Sequence, residues 1–202
     1  MAPRDEVDGR ALLHDRLRRE TADAHARLET GLRLTDPGLS LDRYRAVLEG
    51  FYTFLRPWEA RVEAAIGDPD FTRPRRRAHL LADDLAALGA APGRVAALPD
   101  CPGLPPIDDP ARALGSLYVL EGSTLGGQVV SRHLESTLGL RDGRGYSYFR
   151  GHGPETGAMW RRFGERLAAF SAPGRDDGVV DGARSTFEAL ERWLCREATG
   201  PA

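Results

Sequence analysis

Thr21, His25 and Glu29 recur at intervals of four, a spacing that puts all three on one face of a helix. An imidazole so placed can give one ring nitrogen to a metal while the other donates to a carboxylate one turn away or to a water. That arrangement fixes the tautomer and raises the basicity of the ligating nitrogen. A His and a Glu four apart are also an ordinary surface or half-buried pair, and both readings stand. No third and fourth ligands accompany them, which disfavours a tetrahedral zinc site; a single axial histidine suffices for haem. Cys101 and Cys195 form no metal-ligand pattern and are read as reduced thiols.

The second stretch of interest is chemically bare. In YVLEGSTLGGQVVSRHL, Tyr118–Leu134, apolar residues keep a helical period while Gly122, Gly126 and Gly127 argue against a helix. Each glycine costs about 1 kcal/mol against alanine in a helix interior. Gly122 and Gly126 are four apart and share a face, leaving a strip on which something flat, or another backbone, can lie directly. The run lacks the preceding strand of a dinucleotide site, and the phosphate loop, EF-hand, paired-histidine and nucleophile-elbow motifs are absent.

These residues need helices to position them. The first runs from about Gly9 to Thr30, ended by Gly31 in a left-handed cap; the second follows an N-cap at Ser40 to Ile66, bent or divided by Pro57. A third spans Arg73–Leu88, with its basic cluster Arg73, Arg75, Arg76 and Arg77 read as a solvated face. A proline- and glycine-rich loop covers 91–110. The glycine-bearing helix begins at Pro110 and stops before Gly139, and two more run over 156–170 and 179–197. The aromatic stripe Tyr44, Phe51, Tyr52, Phe54 and Trp58 reads as core packing before ligand lining. No convincing strand appears, so the fold class is all-α in one domain of about six main helices.

Composition narrows the function classes. With 202 residues, 41% hydrophobic and 29% charged, the chain has the make-up of a globular domain, and a formal net charge of -2 argues against bulk-charge nucleic-acid binding. No apolar run reaches membrane-spanning length and MAPRDEVDGR has no apolar core of a signal peptide, so no membrane association and a cytoplasmic location are expected.

Taken together, LHDRLRRETADAHARLE (Leu13–Glu29) and YVLEGSTLGGQVVSRHL resemble the proximal and distal helices of the haem oxygenase family, in the bacterial branch often paired with phytochromes. The resemblance covers about residues 10–197 of a single domain, 1–202. It implies haem b, substrate and cofactor at once, held between a proximal N-terminal helix and a kinked glycine-rich distal helix. His25 then corresponds to the iron ligand and Glu29 to the acid that interacts with it. Gly122 and Gly126 allow close approach of the ring, Gly127 and Gln128 complete the motif, and Thr21 and Tyr118 are expected at the cofactor. The implied reaction takes O2 and electrons, from a donor such as a ferredoxin or flavoprotein reductase, and yields biliverdin, carbon monoxide and ferrous iron; a bacteriophytochrome is the implied receiver of biliverdin.

One position departs from the pattern. Where many members carry an aspartate after the first distal glycine, this chain has Ser123, which cannot hold a carboxylate's charge. Either the distal waters are organised differently, by another side chain for example, or turnover is impaired; with the rest of the distal motif intact, activity is expected to survive. A haem carrier or sensor on the same scaffold, and a haem-free helical enzyme acting on a thiamin-related pyrimidine, are the competing readings. Propionate partners are expected among Arg16, Arg18 and Arg19 and among Arg161, Arg162 and Arg166, with Arg18 and Arg162 chosen. His14 lies about 16 Å from His25 along an ideal helix and cannot share its iron. His133 is read as surface or structural, and His152 sits in a loop.

Overall fold

The computed structural model describes residues 4–195, with side chains described from residue 13. Its helices are α1 (Arg4–Leu32), α2 (Leu41–Ile66), α3 (Pro69–Thr72), α4 (Ala78–Ala87), α5 (Pro92–Ala96), α6 (Pro110–Thr137), α7 (Thr156–Phe170) and α8 (Asp176–Leu194). Among the described residues there is no strand. The expected continuation of the last helix to Glu197 runs beyond the described residues.

Local chemistry sets most of these ends. The Ser40 hydroxyl accepts from the Arg43 amide at 3.2 Å and starts α2. Asp109 accepts from the Arg112 amide at 2.9 Å and, with Pro110, starts α6. Three expectations are corrected. Gly31 lies inside α1, and Arg33, with φ 52°, takes the left-handed position after it. Gly31 serves packing instead, since a Cβ there would come within 2.4 Å of Cys195 Sγ. Pro57 does not divide α2; the Thr53 carbonyl that proline leaves without its helical donor accepts the Cys101 amide at 2.9 Å.

The third correction concerns 73–88, expected as one helix. It is a 3-10 turn at Arg73–Arg75, an extended break at Arg76 and then α4. Glu59 on α2 explains the restart: its carboxylate accepts the amides of Arg77 and Ala78 at 2.6 and 2.8 Å, capping α4 from another helix. The basic cluster is not one solvated face, because Arg75 and Arg77 are buried.

One apolar core joins the long helices, and the aromatic stripe of α2 belongs to it through Tyr44, Phe51, Phe54 and Trp58. α6 and α8 approach most closely where Gly115 and Gly182 meet the opposing backbone. Trp58 Nε1 donates to the Ser116 hydroxyl, which lies 2.7 Å from Thr186 Oγ1, so one buried polar knot ties α2, α6 and α8. α1 follows α8 through the pairs Arg16–Asp177 at 2.7 Å, Glu20–Arg184 at 2.8 Å and Arg27–Glu191 at 3.2 Å.

Candidate functional site

Both α1 and α6 pack on α7 and α8 but make little contact with each other. They meet at an aromatic cluster where His14, Tyr118 and Trp160 lie with ring centroids 5.8–6.0 Å apart. From there α1 stays on α8, whereas the second half of α6 leans on the turn at Ser147–Arg150. The two helices thus part, and the space between the half-exposed His25 on α1 and the exposed face of α6 is the candidate cleft.

On the α6 side, Gly122, Leu125, Gly126 and Val129 follow the i, i+3, i+4, i+7 spacing of one helix face. Leu125 is 50% and Val129 61% exposed, against the rule that large apolar side chains are covered. A Cβ at Gly126 would meet nothing within 4 Å, and one at Gly122 would make only ordinary contact with Trp160 at 3.6 Å. Gly127 is different. A Cβ there would sit 1.9 Å from the Phe149 carbonyl oxygen, so this glycine lets α6 rest on the 147–150 turn. The glycine run therefore divides into two open positions and one packing position. α6 itself is continuous from Pro110 to Thr137.

On the α1 side, His25 is about half exposed and its Nε2 lies 3.2 Å from Glu29 Oε1. Phe187 of α8 supports the ring at 5.6 Å. No protein partner is found for the other ring nitrogen among the described residues. Thr21 sits one turn earlier but is buried, its hydroxyl donating to the Leu17 carbonyl at 2.8 Å. It backs the helix rather than facing the cleft. Among the described residues no three His, Cys, Asp or Glu side chains converge as a metal site, so a metal held at His25 would have one protein ligand.

At the aromatic end, Tyr118 is half-buried; burial pushes its phenol up while nearby Arg18 opposes the shift. Arg18 itself is largely exposed, with only a 4.0 Å contact to Asp15. These two are brought together as a cation and a hydroxyl beside the cleft. Arg162 is not. It lies two positions from Trp160, about 200° around α7, rests on Met159 Sδ and neighbours the buried Arg75. Arg16 and Arg166 are occupied by Asp177 and Asp68. His133 holds the Asp36 carbonyl at 2.9 Å and is structural.

Behind α6 lies a buried polar layer that sequence reasoning missed. Glu121, pointing away from the cleft, is 3.5 Å from Arg75 and 3.4 Å from His152. Arg77 donates to the Leu120 carbonyl, which also accepts from the Ser123 hydroxyl at 2.7 Å. Asp84 accepts the amides of Ser147 and Tyr148 at 2.7 and 2.9 Å and clamps the turn on which Gly127 rests. Burial raises Asp84, and likewise Glu59, above the usual carboxylate range, against the amides that favour the ion. Asp83 and Asp84 stand side by side in the sequence, with no local signal that one carboxylate is buried and the other exposed. The cavity of about 340 Å³ near Asp42, Arg45, Glu49 and Arg94 lies elsewhere and pairs its own charges.

Both the sequence and the fold have known relatives. A sequence model of the family described as "Heme oxygenase" matches residues 11–196. A heme oxygenase of Xanthomonas campestris pv. campestris is 34% identical over 163 residues, covering 78% of this chain and 88% of its own length. Among solved structures, the NO- and CO-bound heme oxygenase of Neisseria meningitidis superposes with a TM-score of 0.71 at 23% identity, covering 93% of this chain and 94% of that one. Heme oxygenase 2 of Chlamydomonas reinhardtii, solved without heme, gives 0.73 at 20% identity over 90% and 95%. On the extent of the family match and of the Xanthomonas relative, the chain belongs to the haem oxygenase family.

Proposed function

We propose that the cleft binds haem b with His25 as its one protein ligand, and that the chain uses O2 and electrons to open the ring to biliverdin, carbon monoxide and ferrous iron. The observation that carries this reading is the strip Gly122–Leu125–Gly126–Val129: apolar, free of Cβ contacts at Gly126, and open to the cleft. A flat apolar macrocycle covers such a face, and a side chain at either glycine would claim the ring's space.

Haem, when bound, supplies the iron at which oxygen chemistry occurs; the protein supplies placement and surroundings. Glu29, 3.2 Å from Nε2, orients the His25 imidazole. Arg18 and Tyr118 meet the propionates at the aromatic end, where a guanidinium and a phenol that burial keeps protonated offer charge-assisted and neutral hydrogen bonds. Leu125 and Val129 exclude water from one face of the ring, and Ser123 offers a hydroxyl at that face's flank. Electrons come from a ferredoxin or a flavoprotein reductase, and biliverdin passes to a bacteriophytochrome. Among the described residues no helix is long and apolar enough to cross a membrane.

The carrier or sensor reading is kept alive by Ser123 alone, since both functions bind haem. Reconstitution with haem, then a reductase and air, separates them: release of biliverdin and carbon monoxide is expected. A complex that cycles between ferric and ferrous haem with its ring intact would make the chain a carrier.

A further inference from the structure

The buried layer behind α6 contains one group whose surroundings remain unexplained. Tyr148 is 3% exposed, yet its hydroxyl makes no well-formed hydrogen bond among the described residues, although the Ser123 side chain lies within its reach. A buried hydroxyl without a partner costs about 1–3 kcal/mol, so folds rarely keep one without a use. Its position is set by neighbours on both sides. Ser123 and Gly127 are four apart on α6 and share a stripe; Gly127 bears on Phe149, which brings Ser123, one turn back, to the preceding residue, Tyr148. Ser123 sits on the flank between the open face of α6 and this buried stripe, and its hydroxyl is spent as a donor on Leu120 while keeping its lone pairs free to accept.

We propose that Tyr148 is a positioning residue for the reaction: its phenol donates to Ser123, and the two hydroxyls together orient water in the cleft, filling the place of the missing carboxylate. The inference rests on the haem reading above. Five ionisable groups surround the pair. The Arg77 guanidinium lies over the Tyr148 ring at 4.8 Å, and Glu59 and Glu121 face it from α2 and α6, with His152 and Arg75 beyond Glu121. Burial outweighs Arg77 and holds the phenol above its ordinary range, so Tyr148 stays a donor throughout the working pH range.

The test compares wild type, Tyr148→Phe, Ser123→Ala and the pair Ser123→Asp and Ser123→Asp/Tyr148→Phe, each loaded with haem. Tyr148→Phe is expected to retain the histidine-ligated absorption spectrum and to melt within a few degrees of wild type, because the buried ring is kept and only the hydroxyl with its bond to Ser123 is lost. It should nevertheless move the acid–alkaline spectral transition of the ferric complex to higher pH and slow biliverdin formation at least about tenfold, the scale of a lost proton-handling group. Ser123→Ala should match it. In the Ser123→Asp background, removing the Tyr148 hydroxyl should change neither readout. A Tyr148→Phe protein with wild-type transition and rate overturns the proposal and leaves the haem reading intact. So does one whose rate loss is matched by a fall in stability with an unmoved transition. Wild type that forms no histidine-ligated complex overturns both.

Discussion

Single atoms decide most at the glycines, and Gly126 and Gly127 give opposite expectations from adjacent positions. A methyl group at Gly127 collides with the Phe149 carbonyl at 1.9 Å, and neither backbone can yield cheaply. Gly127→Ala is expected to cost about 1–3 kcal/mol, read as a lower denaturation midpoint without haem. At His25 the expectation is chemical instead. His25→Ala removes a half-exposed side chain, so stability stays within about 0.5 kcal/mol of wild type, while the histidine-ligated iron spectrum disappears. Substitution of His133 leaves that spectrum in place, because its ring is tied to the Asp36 carbonyl. An unchanged spectrum from His25→Ala rejects the ligand assignment.

Between elements, the distal wall depends on how the 147–150 turn is held. Asp84 uses one oxygen for each of two amides, and the Asp84→Asn variant can accept only one. A loss of about 1–3 kcal/mol is expected at neutral pH. The pH dependence has a definite sign. Folded Asp84 titrates above the unfolded chain's carboxylates, so it binds a proton where the unfolded chain has lost its own. Wild-type stability gains from Asp84 as pH falls through that raised value toward the ordinary carboxylate range, and the gain is given up as pH rises again. The Asp84→Asn variant lacks this slope, so the gap in urea midpoint between the two proteins widens on acidification. Where α6 crosses α8, Gly182→Ala would put its methyl 2.3 Å from the Arg112 carbonyl oxygen. The seam must then open, and a loss of about 1–3 kcal/mol is expected in the same urea titration.

At the scale of the whole chain, the long helices were legible because periodicity and caps are local: Ser40, Pro110 and Gly139 mark their ends in the sequence as in the structure. Helix α4 was misjudged because its N-terminal cap, Glu59, comes from a residue 18 positions earlier, and no local pattern carries such a partner. Of the site, the spacing of His25 and Glu29 and the pairing of Gly122 with Gly126 were readable. The separate duty of Gly127, the burial of Arg75 and Arg77 and the orphan hydroxyl of Tyr148 were not, since each depends on what the 147–150 turn or α2 brings from afar. Arg162 shows the converse: a suitable cation in a suitable helix, carried to the wrong side by two residues of helical rotation.

That the ring lies on the open strip of α6 is most directly tested by haem titration of Gly126→Leu beside wild type, with thermal denaturation of both haem-free proteins. A leucine side chain there meets no described atom near its Cβ and relieves a glycine's helix penalty of up to about 1 kcal/mol. The variant should therefore melt at or above the wild-type temperature, yet bind haem at least about tenfold more weakly, a difference of roughly 1.4 kcal/mol. A stable Gly126→Leu protein that takes up haem with wild-type affinity would contradict the placement.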